Sequence, residues 1–193
     1  MNKIRLGNLQ LKTFTEQDAE DYCLLNNINP DNIIKLYLNF NKLTDISGIK
    51  LFKNTKELWL YENKLTDISV LKDLKKLKGL YLYDNELTDI SVLKYVKDLK
   101  YLSLNRNKLT DISVLKDLNK LEELFISDNK ITDISILQYL TKLKILNIEN
   151  LELESNHIKY INSLKNLKEI WHKNGFKDMS VIKQLNNKIN KNE

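Results

Sequence analysis

Asn41, Asn63, Asn85, Asn107 and Asn129 fall 22 residues apart, and so do Asp45, Asp67, Asp89, Asp111 and Asp133. A unit this short cannot bury its own apolar face. It must stack on copies of itself, so a fixed period of this length points to a solenoid. The unit reads Leu-x-x-Leu-x-Leu-x-x-Asn-x-Leu-Thr-Asp-Ile-Ser-x-Leu-x-x-Leu-x-x. Leu58 and Leu60 alternate with Glu57, Trp59 and Tyr61, the pattern of a short half-buried strand. Successive copies of that strand run parallel, because the chain returns the same way each time. Leu65, Ile68, Leu71 and Leu74 then recur every three residues, which suits a 3₁₀ or short helical return facing the same core.

This phrase resembles the leucine-rich-repeat family. It is similar to the 22-residue type found in internalins and in the leucine-rich regulatory subunit of protein phosphatase 1. The resemblance covers roughly 33–185. It implies an α/β fold: a curved right-handed horseshoe with a parallel β-sheet on the concave face and 3₁₀ or short helical returns on the convex face. An Asn held at a turn beside an apolar core needs its donors and acceptors satisfied. Asn41, Asn63, Asn85, Asn107, Asn129, Asn156 and Asn174 are therefore expected to form a structural ladder, as the resemblance also implies. The Asp column suits a cap on each return. Repetition of Thr-Asp-x-Ser argues against catalysis, since a catalytic group is needed once and a structural one in every turn.

Residues 1–31 do not fit the repeat and read as an N-terminal cap. Thr15-Glu-Gln-Asp18 has the spacing of a capping box, and Ala19, Tyr22, Cys23 and Leu25 or Ile28 follow at helical spacing. A helix over 15–27 is predicted, with a strand at Gln10–Phe14 or slightly earlier, covering the exposed edge of the first repeat. About seven repeats occupy 32–186. The sixth is read with an insertion within 150–154, because Asn129 and Asn156 are 27 residues apart, and the seventh is read as truncated. Residues 187–193 form a polar tail.

The single Cys23 excludes an internal disulfide framework and fits a reducing compartment. The start of the chain shows no apolar run of signal-peptide length, so a cytoplasmic location is expected. The alternative is a secreted, internalin-like virulence or adhesion protein that binds a host receptor. The net charge of +5 raises nucleic acid or an anionic membrane as a partner of Lys50, Lys72, Lys94, Lys116, Lys165 and Lys183 on the convex returns. Interspersed Asp73, Asp98 and Asp117 make a solvated face the simpler reading, and nucleic acid is not expected. His157 and His172 stand without a nucleophile motif, a Gly-rich phosphate loop or a metal-ligand spacing. The chain is read as a non-enzyme, with no cofactor and no metal, and as a monomer.

Binding is the better-supported function. Positions between the strand leucines point onto the concave face. They carry Tyr37, Trp59, Tyr81, Phe125 and Trp171 in one column, and Tyr61 and Tyr83 in a second. Tyr101 projects from two residues earlier. Contiguous exposed aromatic surface marks interaction sites, and Trp and Tyr dominate interface hot spots. These eight residues are the expected contact surface for a protein or peptide partner. Stacking that merely stabilises the sheet is the competing explanation, and on that footing Tyr81→Ala is expected to change stability little if binding is the true role. The surrounding Glu57, Glu62, Asp84, Arg106, Glu123 and Asp128 make a rim more acidic than basic, which favours a partner carrying Lys or Arg.

Overall fold

The computed structural model describes residues 2–176. The expected partial repeat at 177–185, Lys183 and the polar tail lie outside them. Eight strands of three residues each form one parallel sheet in sequence order: β1 (Lys3–Arg5), β2 (Lys35–Tyr37), β3 (Glu57–Trp59), β4 (Gly79–Tyr81), β5 (Tyr101–Ser103), β6 (Glu123–Phe125), β7 (Ile145–Asn147) and β8 (Glu169–Trp171). The sheet is open and curved. Strand leucines alternate inward, and Leu36, Leu58, Leu80, Leu102, Leu124 and Leu146 are fully buried. Short 3₁₀ turns such as Ser69–Asp73 carry the chain back. Ile68, Leu71, Leu74 and Leu77 in each return meet the strand leucines in one continuous core.

Each repeat leaves the sheet at a corner whose backbone carbonyls point inward, and an Asn side chain takes them up. Asn85 Nδ2 donates to Leu60 O and Leu82 O, both at 3.0 Å, while its Oδ1 accepts from Leu65 N at 3.1 Å. Asn63 and Asn107 repeat the pattern one unit either side. Asn129 does the same toward Leu104, Ile126 and Leu109. Asn41 bonds Leu6 O, Leu38 O, Leu9 N and Leu11 N, tying the cap to the array. The residue before each Asn lies in the left-handed region: Phe40, Glu62, Asp84, Arg106 and Asp128 have φ of 52–57°. Non-glycine residues rarely adopt this conformation, and the paired Asn bonds hold it. The Asp column behaves as capping requires, with Asp67 Oδ1 accepting from Ser69 N at 2.7 Å and the same bond at Asp45, Asp89, Asp111 and Asp133.

Asn156 and Asn174 are not part of the ladder. Asn156 is exposed in a short turn at Ser155–His157. Asn174 is exposed at the left-handed corner (φ 52°), and its Nδ2 donates to Asn150 Oδ1 at 3.2 Å. The ladder positions after β7 and β8 hold Leu151, buried, and Gly175. A Cβ at Gly175 would sit 2.8 Å from Ile148 O and 2.9 Å from His172 O, so only glycine fits there. Asn150 has φ 57°, the corner value, so the 22-residue period persists through 150, and the expected insertion lies beyond it. The extra residues fall in the following return: Leu146 pairs with Ile170, 24 positions on. There a short 3₁₀ turn (Ser155–His157) runs into α2 (Ile158–Asn162), which buries Ile161. Matching Leu164 and Leu167 to Leu74 and Leu77 puts Lys165 in the column of Lys75, so it leaves the expected lysine stripe.

The cap is a distorted first repeat. β1 pairs in register with β2, Ile4 opposite Leu36. The segment at 10–14, entered through a left-handed Gln10 (φ 59°), makes a single bridge, Thr13 to Asp45, and no strand. Helix α1 (Glu16–Leu25) begins on the expected capping box: Thr15 accepts from Asp18 N, and Asp18 Oδ2 accepts from Thr15 N at 2.7 Å. It ends at Leu25, which is 84% exposed; Ala19 and Cys23 are buried in the core, and Tyr22 and Ile28 pack against it half-buried. Burial pushes the Cys23 thiol pKa up, as suits an unreactive packing residue. Gly48 takes the place that Val70, Val92 and Val114 hold in later repeats. A Cβ there would lie 2.8 Å from Phe14 O, and Gly48 N donates to that same oxygen at 2.8 Å.

Removing a ladder side chain strands buried backbone groups. Asn85→Ala is expected to destabilise the fold by about 1–3 kcal/mol, whereas Asn156→Ala should stay within about 0.5 kcal/mol of the parent. Chemical denaturation of the two variants beside the parent checks the difference.

Candidate functional site: an aromatic concave face

Strand register decides what faces the concavity. Tyr37, Trp59, Tyr81, Ser103, Phe125, Asn147 and Trp171 are direct partners on successive strands. Parallel strands lie about 4.8 Å apart, close to a comfortable ring stacking distance. The rings of Tyr37 and Trp59 are 4.1 Å apart with planes at 11°, and those of Trp59 and Tyr81 are 4.9 Å apart at 7°. Ser103 would interrupt the row. Tyr101 fills the gap from opposite Gly79, its ring 4.4 Å from Tyr81 and 5.3 Å from Phe125. A Cβ at Gly79 would meet the Tyr81 ring at 3.4 Å, an ordinary contact. Asn147 interrupts the row again, and Trp171 meets Phe125 edge-on at 5.6 Å. Six rings thus form one unbroken row along the sheet.

A second, shorter row runs beside it. Tyr61 and Tyr83 stack at 4.3 Å, and Phe40 meets Tyr61 edge-on at 5.0 Å. All eight sequence-predicted aromatics belong to one of these two rows. Phe125 is buried beneath its neighbours, Trp171 is 44% exposed, and the others are half-buried. Phe40 was not in the expected set because it sits at a left-handed corner, outside the strand alternation that picked out the rest. Arg5 was missed with it. Its guanidinium lies 4.9 Å over the Tyr37 ring, in a segment read as outside the repeat. Lys35 Nζ stands 5.9 Å from the Trp59 ring and 2.9 Å from Glu57.

Each ring between two others makes two stacking contacts, worth about 0.5–1.5 kcal/mol apiece beyond area burial. The expectation for Tyr81→Ala is therefore revised: a loss of stability is expected whether or not the face binds a partner, and does not by itself favour sheet packing. Tyr81 lies between Trp59 and Tyr101, and its loss costs both contacts. Burial also raises the phenol pKa values in both rows. Tyr101 is pushed up to about 12, with Tyr81 and Glu123 adding to the effect. Tyr81 and Tyr83 are raised by the same cause, Tyr83 further because the Tyr61 phenol and Glu62 lie close to it.

Toward β8 the face deepens into a hollow of about 590 Å³ between Tyr83, Tyr101, Phe125 and Trp171, with Glu123, Asp128 and Glu149 around it. The convex side is different in character. Lys50 is bound to Glu16, and Lys94 lies over Tyr95 at 5.1 Å. Among the described residues no cluster of three or more His, Cys, Asp or Glu side chains is placed to hold a metal ion, and no helix is long and apolar enough to cross a membrane. His157 Nε2 lies 3.8 Å from Asp133, and His172 is half-buried in the turn after β8.

The family model for leucine-rich repeats in two copies matches residues 53–95, 75–117 and 97–139. The parallel sheet runs through all the described repeats, and the internal Asn bonds run from Asn41 to Asn129. The chain is a leucine-rich-repeat protein with an internalin-like fold. The internalin inlF of Listeria monocytogenes superposes with a TM-score of 0.78 at 27% identity, over 96% of this chain and 58% of that one. Internalin C2 of the same species gives 0.75 at 29% identity, over 87% of this chain and 79% of that one. A leucine-rich-repeat protein of Leptospira interrogans gives 0.75 at 27%, over 90% and 43%. This repeat protein thus spans little more than half the length of the inlF structure it matches. No curated protein matches it.

The phenol shifts carry a sign. A group whose folded pKa lies above its unfolded value of about 10 favours the fold fully below that value, and the contribution is lost as pH rises through the folded pKa. Stability is therefore expected to fall between about pH 10 and pH 12, and Tyr101→Phe should flatten part of that fall. Thermal melts across the range, with phenolate absorbance followed in parallel, check it.

Proposed function

We propose that this protein is a non-catalytic interaction module that binds a protein or peptide partner through its concave aromatic face. Tyr37, Trp59, Tyr61, Tyr81, Tyr83, Tyr101, Phe125 and Trp171 form the contact surface in this reading. The observation that carries it is the unbroken row of six rings, kept continuous at β5 because Tyr101 supplies the ring that Ser103 lacks. Sheet stability alone needs pairs, not an unbroken row, and the leucine core is complete without them. The face is also preformed. Its rings are fixed by mutual stacking, so little side-chain freedom remains to be lost on binding. The protein acts as a monomer inside the cell in this reading. Likeness to two Listeria internalins supports a second reading, an exported adhesion protein that binds a receptor through the same face. Fractionation of the source cells separates the two: recovery from the interior favours the first, recovery from the medium or the surface the second.

Affinity capture followed by mass spectrometry tests the face. Parent protein is compared with Trp59→Ala/Tyr81→Ala/Tyr83→Ala, at a temperature where circular dichroism shows both folded. Tyr95→Ala/Tyr139→Ala, which removes exposed convex rings instead, serves as the control. The reading expects a partner retained by parent and control and lost by the triple variant, since truncating a hot-spot aromatic costs about 2 kcal/mol or more. The same proteins recovered with all three would contradict it.

A further inference from the structure

The two ends of the concave face treat their rings differently. At the first strands the chain supplies its own cations: Arg5 covers Tyr37 at 4.9 Å, and Lys35 approaches Trp59 at 5.9 Å. Toward β8 the rings of Tyr101, Phe125 and Trp171 open onto a hollow of about 590 Å³ bordered by the carboxylates of Glu123, Asp128 and Glu149. Among the described residues the one cation on its border, Arg106, is turned to Asp84 at 3.6 Å. Asp128 accepts from Asn150 Nδ2 at 2.7 Å, and Glu149 receives a long contact of 3.4 Å from Asn147. These are neutral partners, which leave the carboxylate charge in place. Among the described residues no Lys or Arg lies over the Tyr101, Phe125 or Trp171 rings. Aromatic faces attract cations, and carboxylates at the border add to that attraction.

We infer that the hollow beside β6–β8 takes a Lys or Arg side chain of the bound partner, so that the partner lies with a basic residue at the C-terminal end of the concave face. The inference rests on the proposed concave binding face and adds its chemistry and direction. The ring-and-carboxylate set reproduces at this end what Arg5 and Lys35 already do internally at the other. The cations at the β1 end, Arg5 above all, repel the same residue there, so the partner has one favoured orientation.

Trp59→Phe leaves Trp171 as the single tryptophan, and its fluorescence then reports on the hollow alone. Hexa-arginine, hexa-lysine and hexa-glutamate peptides are titrated into this protein at low salt. Both basic peptides should give a saturable change and hexa-glutamate none. Glu123→Gln/Glu149→Gln should weaken the basic peptides roughly tenfold, and Asp73→Asn/Asp117→Asn on the convex side should not. No saturable change, an equal response to hexa-glutamate, or unchanged affinity in the Glu123→Gln/Glu149→Gln protein would overturn the inference. A partner lost with the aromatic triple variant but kept by Glu123→Gln/Glu149→Gln would also overturn it, while leaving the binding face itself standing.

Discussion

The fold depends on one side chain used repeatedly. At each corner the chain turns out of the sheet through a left-handed residue, and its inward carbonyls lose their strand partners. An unpaired buried carbonyl or amide costs about 1–3 kcal/mol, and several per repeat would exceed the margin of any domain of this size. Asn is the short side chain that carries two donors and an acceptor together. Asn63, Asn85 and Asn107 use both functions at once, bonding carbonyls of their own and the preceding repeat and accepting an amide from that preceding repeat. The bond therefore fixes the spacing between repeats as well as the corner within one.

The concave face follows from that spacing. Because every corner is held alike, strands pair without slip, and the residue between the strand leucines lands beside its counterpart one repeat on. Stacked rings need such constancy, since a one-residue slip would turn every one of them into the core. Where the sequence departs from the column, at Ser103, the row is rescued by Tyr101 over Gly79. Where the ladder ends, at Leu151, the return lengthens and becomes helical, and the array changes character. The array starts in a similar way, with Gly48 giving way to the Phe14–Thr15 backbone of the cap.

Regular parts of this chain were legible from sequence because each position recurs and the recurrences agree. The strand columns, the Asp caps, the Asn ladder through Asn129 and the capping box at Thr15 all follow from spacing and hydrogen-bonding capacity. The irregular parts were not. Asn156 and Asn174 look like ladder members by identity, but the corner value of φ at Asn150 and the burial of Leu151 place the true ladder position elsewhere. Spacing between like residues misleads when the residue itself has been replaced. The left-handed corners carried no signal, because Phe, Glu, Asp and Arg stand where glycine would have announced them. β1 was hidden because a whole helix separates it from its partner strand. Of the candidate site, the aromatic columns were readable. Phe40, Arg5 and the closing of the hollow by Trp171 on Phe125 needed the fold.

Amide hydrogen exchange tests the dependence of the array on its Asn bonds most directly. Leu65 N donates to Asn85 Oδ1, and Leu109 N donates to Asn129 Oδ1 in an untouched corner. In Asn85→Ala, Leu65 should lose markedly more protection than Leu109, because its corner opens locally as well as through global unfolding. Equal loss at the two amides, or none at Leu65, would contradict the account and leave leucine packing alone as what holds the repeats in register.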